Sequence, residues 1–282
     1  MNTLSTQSRG DQVRDGFTLV EVLVAMAIFL TMMAFLSGIL STVSNITGIG
    51  QQNSRNANNA RAIFDLIRRE LQSGVNRVDL PGWIVADPST ATLTFYSCSP
   101  GSAVSGANAT GYRNLSFIKY QLDATVSTLR RGDSAAFWSS DPDILPLGVL
   151  SPNTPNPILN DILTGVLAFH VTFLRQDGTF SNTYKGLSTN PEVAMGVSLA
   201  VIDARSLKTI KGENLQTLSQ TLNQIAQGSL SPKAAWENAI RGINAENPLM
   251  GYPVGIRSRL QFFERFIDMP QRSRVQNTSI VL

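Results

Sequence analysis

Cysteine occurs once, at Cys98, and histidine once, at His170, in 282 residues. A lone thiol excludes an intramolecular disulfide framework, and with a single imidazole beside it a multi-histidine or cysteine-cluster metal site is excluded too. Charge is scarce as well: Asp, Glu, Lys and Arg make up 15% of the chain, against about 25% in soluble domains. The signs nearly balance, 23 Lys and Arg against 20 Asp and Glu. The small excess gathers near the C-terminus, where Arg257, Arg259, Arg265, Arg272 and Arg274 outnumber Glu264 and Asp268. A strong nucleic-acid binder shows a basic face or stripe far from neutrality, so DNA is not expected among the partners. There is no Walker-type loop, Gly48-Ile49-Gly50 is too short for a dinucleotide-binding turn, and no nucleophile elbow accompanies His170. No enzyme activity and no cofactor are expected. A hydrophobic content of 43% nevertheless calls for a folded body with a real core.

What the chain does have is one long apolar run. Residues 1–16, MNTLSTQSRGDQVRDG, are polar and lack the apolar centre of a secretory signal. From Phe17 to Leu40 the chain reads FTLVEVLVAMAIFLTMMAFLSGIL, with Glu21 its only charge. A helix of about 24 residues at 1.5 Å each spans roughly the 30 Å hydrocarbon core of a bilayer. A plain membrane anchor satisfies that composition. Glu21 argues for more, because a carboxylate so close inside the run costs about 2 kcal/mol or more unless it snorkels or finds a partner.

The junction Gly16-Phe17-Thr18-Leu19-Val20-Glu21 resembles the processing and methylation motif of type IV prepilins, residue for residue. That resemblance implies a prepilin peptidase/methyltransferase as a partner, which cuts between Gly16 and Phe17, releases residues 1–16 as a leader and N-methylates Phe17. It also implies that Glu21 is the assembly carboxylate that engages the next pilin-like subunit. The idea is physically coherent: a carboxylate near the lipid interface is tolerable when a neighbour's freed Phe17 amine pairs with it, and helices then pack on van der Waals contact and such polar pairs. One position departs from the family, since Asp15 stands before Gly16 where a basic residue is usual. With Asp11 it leaves Arg9 and Arg14 little net positive bias to orient the segment.

Past Asn45 the chain turns polar yet keeps a helical stripe, Ala60, Ile63, Phe64, Ile67 and Leu71, with Arg61, Asp65, Arg68, Arg69 and Glu70 between. The spacing predicts a continuation of the same helix over 17–75, membrane-spanning over 17–40, with a loosened section at Gly48 and Gly50. Strand-like stretches follow at Ala91–Tyr96, Leu115–Leu122, Thr128–Arg130, Val166–Leu174 and Val193–Ile202, separated by Gly/Ser/Asn/Pro clusters. Residues 204–248 break the pattern. Leu215, Leu218, Leu222 and Ile225 follow helical spacing, Gly228 stops that helix, and Ser231-Pro232 starts another, which predicts a helical hairpin. Ile256–Ile267 fits both periods, and a returning strand is the preferred reading. The expected fold class is α+β: a long N-terminal transmembrane and amphipathic helix packed on an antiparallel β-sheet head over 76–282, with a helical insert before the last element.

This order resembles the pilin architecture, and the head loosely resembles the minor pseudopilin J family of type II secretion and the large prepilin-like cassette C proteins of verrucomicrobia. The resemblance implies a minor pilin-like subunit of a type II secretion or type IV pilus-like filament, single-pass in the inner membrane with a periplasmic head. The alternative is a single-span anchored binding module for substrate or DNA that joins no filament. A few other residues offer candidate chemistry. Alternation places His170 opposite the bulky apolar side of its strand, toward solvent. Cys98, in or beside a strand, reads as a small buried hydrophobe. Asp141 and Asp143 with Ser139 and Ser140 offer hard oxygens to calcium, although Asp-Pro-Asp also serves as plain turn chemistry, and no metal is expected.

Overall fold

The computed structural model describes residues 17–74, 83–98, 115–136, 157–185, 190–210, 212–227, 231–242 and 248–269. Gly16, Gly228, Asp141 with Asp143, and Arg272 with Arg274 lie outside them. The chain divides into two compact units, with the boundary after Gln51. Helix α1, Leu19–Gln72, contributes to both. Gly48 and Gly50 do not interrupt it, which corrects the expected loosened section. An isolated glycine costs a helix about 1 kcal/mol, too little to break an already propagating ladder.

In the second unit the stripe Ala60, Ile63, Phe64, Ile67 and Leu71 is buried, as its spacing demands. Strands β1 (Ile84–Asp87), β2 (Thr92–Ser97), β3 (Leu115–Asp123), β4 (Thr128–Ala136) and β5 (Asn160–Thr164) form a five-stranded antiparallel meander. Strands β6 (Val166–Arg175), β7 (Phe180–Ser181), β8 (Glu192–Val201) and β9 (Gln261–Asp268) form a second antiparallel sheet in the order β7-β6-β8-β9. Two sheets thus stand where one was expected. The switch between them is Gly165, at φ +82°, where a Cβ would lie 2.5 Å from the Ile202 carbonyl oxygen. Only glycine fits so close an approach in that conformation.

One core joins the α1 stripe to both sheets, including Leu93, Phe95, Ile118, Phe169, Phe173, Val197 and Leu199. A second lies on the other face of β6, β8 and β9, beneath the helical insert, and holds Ala168, Ala200, Leu218, Leu222 and Trp236. Among the described residues the insert contains three helices, α2 (Ala204–Thr209), α3 (Gly212–Ala226) and α4 (Pro232–Arg241), where a two-helix hairpin was expected. Asp203 caps α2 by accepting from the Arg205 and Ser206 amides at 3.0 and 2.9 Å. Ser231 caps α4 and Pro232 opens its first turn, as the sequence signals indicated. Ser219 Oγ pins α3 to β6 by donating to the Leu167 carbonyl at 2.6 Å, and Trp236 Nε1 ties α4 to α3 by donating to the Leu222 carbonyl at 2.7 Å. The ambiguous stretch resolves into one helical turn, α5 (Val254–Arg257), and then the returning strand β9.

Two placements are corrected here. His170 is 1% exposed, because the insert covers the sheet face that alternation assigned to solvent. Cys98 is exposed, since it lies just past β2 where the strand leaves the core.

Candidate assembly segment

The first unit presents the residues that the sequence singled out. Phe17 is 85% exposed. Thr18 immediately precedes α1, and its hydroxyl oxygen accepts the Glu21 amide at 3.3 Å. In return Glu21 Oε2 accepts the Thr18 amide at 3.4 Å and its hydroxyl at 3.5 Å. This is a reciprocal capping box, which answers two of the orphan amides that every helix start leaves open, and a carboxylate also sits well against the positive end of the helix dipole. Those distances are at the long end for hydrogen bonds, so the box holds Glu21 loosely. Thr18 was not singled out from sequence, although the signal is legible: a threonine three residues before a glutamate at the head of an apolar run.

Behind the junction the helix is apolar on every side. Its best 18-residue window has a mean hydropathy of 2.5, and none of it is buried by the rest of the chain. Leu19, Leu30, Phe35 and Leu40 are each exposed by two thirds or more. A surface of that extent is not left to water in a stable protein, and a helix apolar all round belongs in lipid or among other helices. Its hydroxyls are compatible with lipid, since Thr31 donates to the Ile28 carbonyl at 2.7 Å and Thr42 to the Gly38 carbonyl at 3.0 Å. Ala34, Gly38 and Thr42 recur at four-residue spacing and line a shallow apolar notch with Phe35, Ile39 and Val43.

Residues 13–37 match the prokaryotic N-terminal methylation motif. The chain carries a prepilin-type N-terminus. The match spans the polar-to-apolar junction and nearly all of the apolar run, including Gly16, Phe17, Thr18 and Glu21. Among solved structures, the chain is similar to the type IV-like pilin TTHA1219 from Thermus thermophilus, at 12% identity and a TM-score of 0.38, over 76% of this chain and 96% of that one. It is also similar to a chain of the GspK-GspI-GspJ complex from the enterotoxigenic Escherichia coli type 2 secretion system, at 13% identity and a TM-score of 0.33, over 53% of this chain and 90% of that one. No curated protein matches it.

The second unit offers little reactive chemistry. Among the described residues no group of three or more His, Cys, Asp or Glu side chains is placed to hold a metal ion. A groove of about 410 Å³ lies between α1, β9 and α4, and across it Arg265 Nη1 donates to Asp65 at 2.6 Å. That contact is a surface ion pair between β9 and α1.

Proposed function

We propose that this chain is a minor pilin-like subunit, anchored by α1 in the inner membrane, cut after Gly16 by a prepilin peptidase, and assembled through helix packing with other pilin-like subunits. The observation that carries this reading is the union, in one segment, of the methylation motif with an apolar helix that is exposed among the described residues. Glu21 sits inside that segment and is held by a weak intrachain box, so a neighbour's Phe17 amine has only loose bonds to displace. The spaced small residues Ala34, Gly38 and Thr42 are of the kind that lets helices approach closely in lipid. Type II secretion and type IV pilus-like filaments both suit such a subunit. Helix contacts that repeat without closing generate a helical filament.

Mass analysis of the N-terminus in the membrane fraction tests the processing step. It should find a methylated Phe17 as the first residue, and Gly16→Leu should retain Met1; a start elsewhere in the unaltered protein ends the proposal. The minor rank has its own test. A head of about 200 residues has a radius of gyration near 16 Å, broad for subunits that follow one another at the small axial steps of side-by-side helices. Expressed alone, the protein should therefore form no long filament, while residues 17–71 crosslink to smaller prepilin-like partners when these are present. Long homopolymers in electron micrographs would contradict the assignment.

A further inference from the structure

On the sheet face beneath the helical insert runs a row of polar side chains that the assembly reading does not use. His170 on β6 stands opposite Ser198 on β8, and Ser198 opposite Glu264 on β9. Glu264 accepts from Ser198 Oγ at 2.7 Å through one oxygen and from Ser231 Oγ at 2.7 Å through the other. Ser231 is also the cap of α4, accepting the Ala234 amide at 3.2 Å. One carboxylate therefore ties the sheet to the start of an insert helix. His170 takes no part in this. It is 1% exposed, and neither ring nitrogen has a hydrogen-bond partner of ordinary geometry. Next along the row Thr172, equally buried, leaves its hydroxyl without a partner.

A neutral imidazole always carries one N–H and one lone pair. Asn182 approaches the ring without a bond of ordinary geometry, and burying an imidazole so poorly partnered opposes folding in a way an apolar residue of similar size would not. A histidine retained at such a place has a use that an apolar residue lacks, and its distinctive property is that it gains a proton near neutrality. We propose that His170 is a proton-operated clasp: neutral, it stays sealed under α3 and α4, and once protonated it attracts Glu264 away from Ser231, admits water and releases the insert from the sheet.

The surrounding groups favour this assignment. Across the sheet the register partner of His170 on β8 is Ser198, Asn182 after β7 approaches the ring, and Ser231 at the start of α4 is tied to Glu264, with Lys233 farther out in the groove beside that carboxylate. On β9 Glu264 is the charged group directed at it; Asp268 shares that face but lies exposed at the strand's end, and Arg265 points to the opposite face. Burial holds the imidazole below its ordinary pKa, with Asn182 and Glu264 offsetting this only in part. The released insert therefore binds a proton at higher pH than the docked one. Docking is fully present above the unfolded imidazole value of about 6.5 and weakens as pH falls from there through the lower docked value.

His170 is the only histidine, so titration of its ring signals in the full chain, carried in detergent micelles without a polyhistidine tag, is unambiguous. Hydrogen exchange, corrected for intrinsic rates, should show α3 and α4 losing protection by up to roughly tenfold per pH unit below about 6.5, while β2 and β3 stay protected. His170→Phe should abolish that slope. Should this variant misfold, the imidazole signal of the unaltered protein decides the matter, because it must remain neutral below the usual histidine range while the insert is docked. A slope that survives His170→Phe, parallel loss of protection in every strand, or an imidazole that titrates normally with the insert still protected would each overturn the clasp.

Discussion

Replacing Glu70 with alanine should cost the second unit about 3 kcal/mol or more, by leaving a largely buried guanidinium with only Asp133 of its two carboxylate partners and the buried Tyr120 hydroxyl without its acceptor. Glu70 is 3% exposed at the end of α1. Its Oε1 accepts from Arg131 Nε at 2.9 Å and also from Nη2, and its Oε2 accepts from the Tyr120 hydroxyl. Arg131 Nη1 also donates to Asp133 at 3.0 Å. Burial raises the Tyr120 pKa and the Glu70 charge raises it further, while burial works against the charge of Arg131 but Glu70's hydrogen bond and charge outweigh it. The guanidinium therefore stays charged at any ordinary pH. Glu70→Gln, which keeps an acceptor for Tyr120, should lose less than alanine does, and Glu70→Leu with Arg131→Met should recover part of the loss, since well-packed apolar residues often replace a buried pair without penalty. Urea unfolding of the full chain in micelles, followed by tryptophan emission, to which the buried Trp83 and Trp236 both contribute, measures all of these. An alanine variant within about 0.5 kcal/mol of the unaltered protein would show that the cluster is ornamental.

The largest functional effect is expected at Glu21. Glu21→Leu should insert into the membrane as well as the unaltered chain or better, since removing a carboxylate from an apolar segment relieves about 2 kcal/mol or more, yet crosslinked complexes with pilin-like partners should fall to background. Glu21→Gln should act in the same direction but less strongly, because an amide still accepts a hydrogen bond while offering no charge to a neighbour's amine. Thr18→Ala supplies the control. It dismantles the capping box but spares the carboxylate, so a loss of assembly confined to the Glu21 variants separates pairing between subunits from helix capping. Carbonate extraction reads insertion, and photo-crosslinking from residues placed within 17–71, a segment without lysine, reads assembly. Undiminished complexes with Glu21→Leu would return Glu21 to the role of an anchor residue that snorkels.

The parts of the molecule most legible in sequence are those whose signal is local. The apolar run, the helical stripe from Ala60 to Leu71 and the Ser231-Pro232 start are each written in consecutive or evenly spaced residues. What escaped depends on contacts that no window contains. Alternation along β6 identifies one buried face, but whether the other meets water depends on an insert that begins more than thirty residues later, so His170 was assigned to the wrong side. A hint was present in VLAFHVTFLR and in its partner EVAMGVSLAV: small or apolar residues on both faces mark a strand covered twice. β1 and β5, of four and five residues, are too short for a period to emerge. The partners of Glu70 lie fifty and sixty-one residues away, and the local pattern around it is that of a solvated helix face.

The attachment of α1 bears on how the head would answer a mechanical load. Toward its end the helix is fastened to both sheets: Asp65 to β9 through Arg265, and Glu70 to β3 and β4 through Tyr120 and Arg131. Its last turn is secured again, as the Glu70 carbonyl accepts from Ser97 Oγ at 2.7 Å, Ser73 and Ser97 share a hydroxyl bond of 2.9 Å, and the Cys98 amide donates to the Ser73 carbonyl at 2.8 Å. A pull along the helix loads these links side by side rather than one after another, so none can fail while the others hold the helix in register. The head would resist traction as a single body up to a threshold and then let go of its helix abruptly, which is the behaviour of a rivet rather than a zipper.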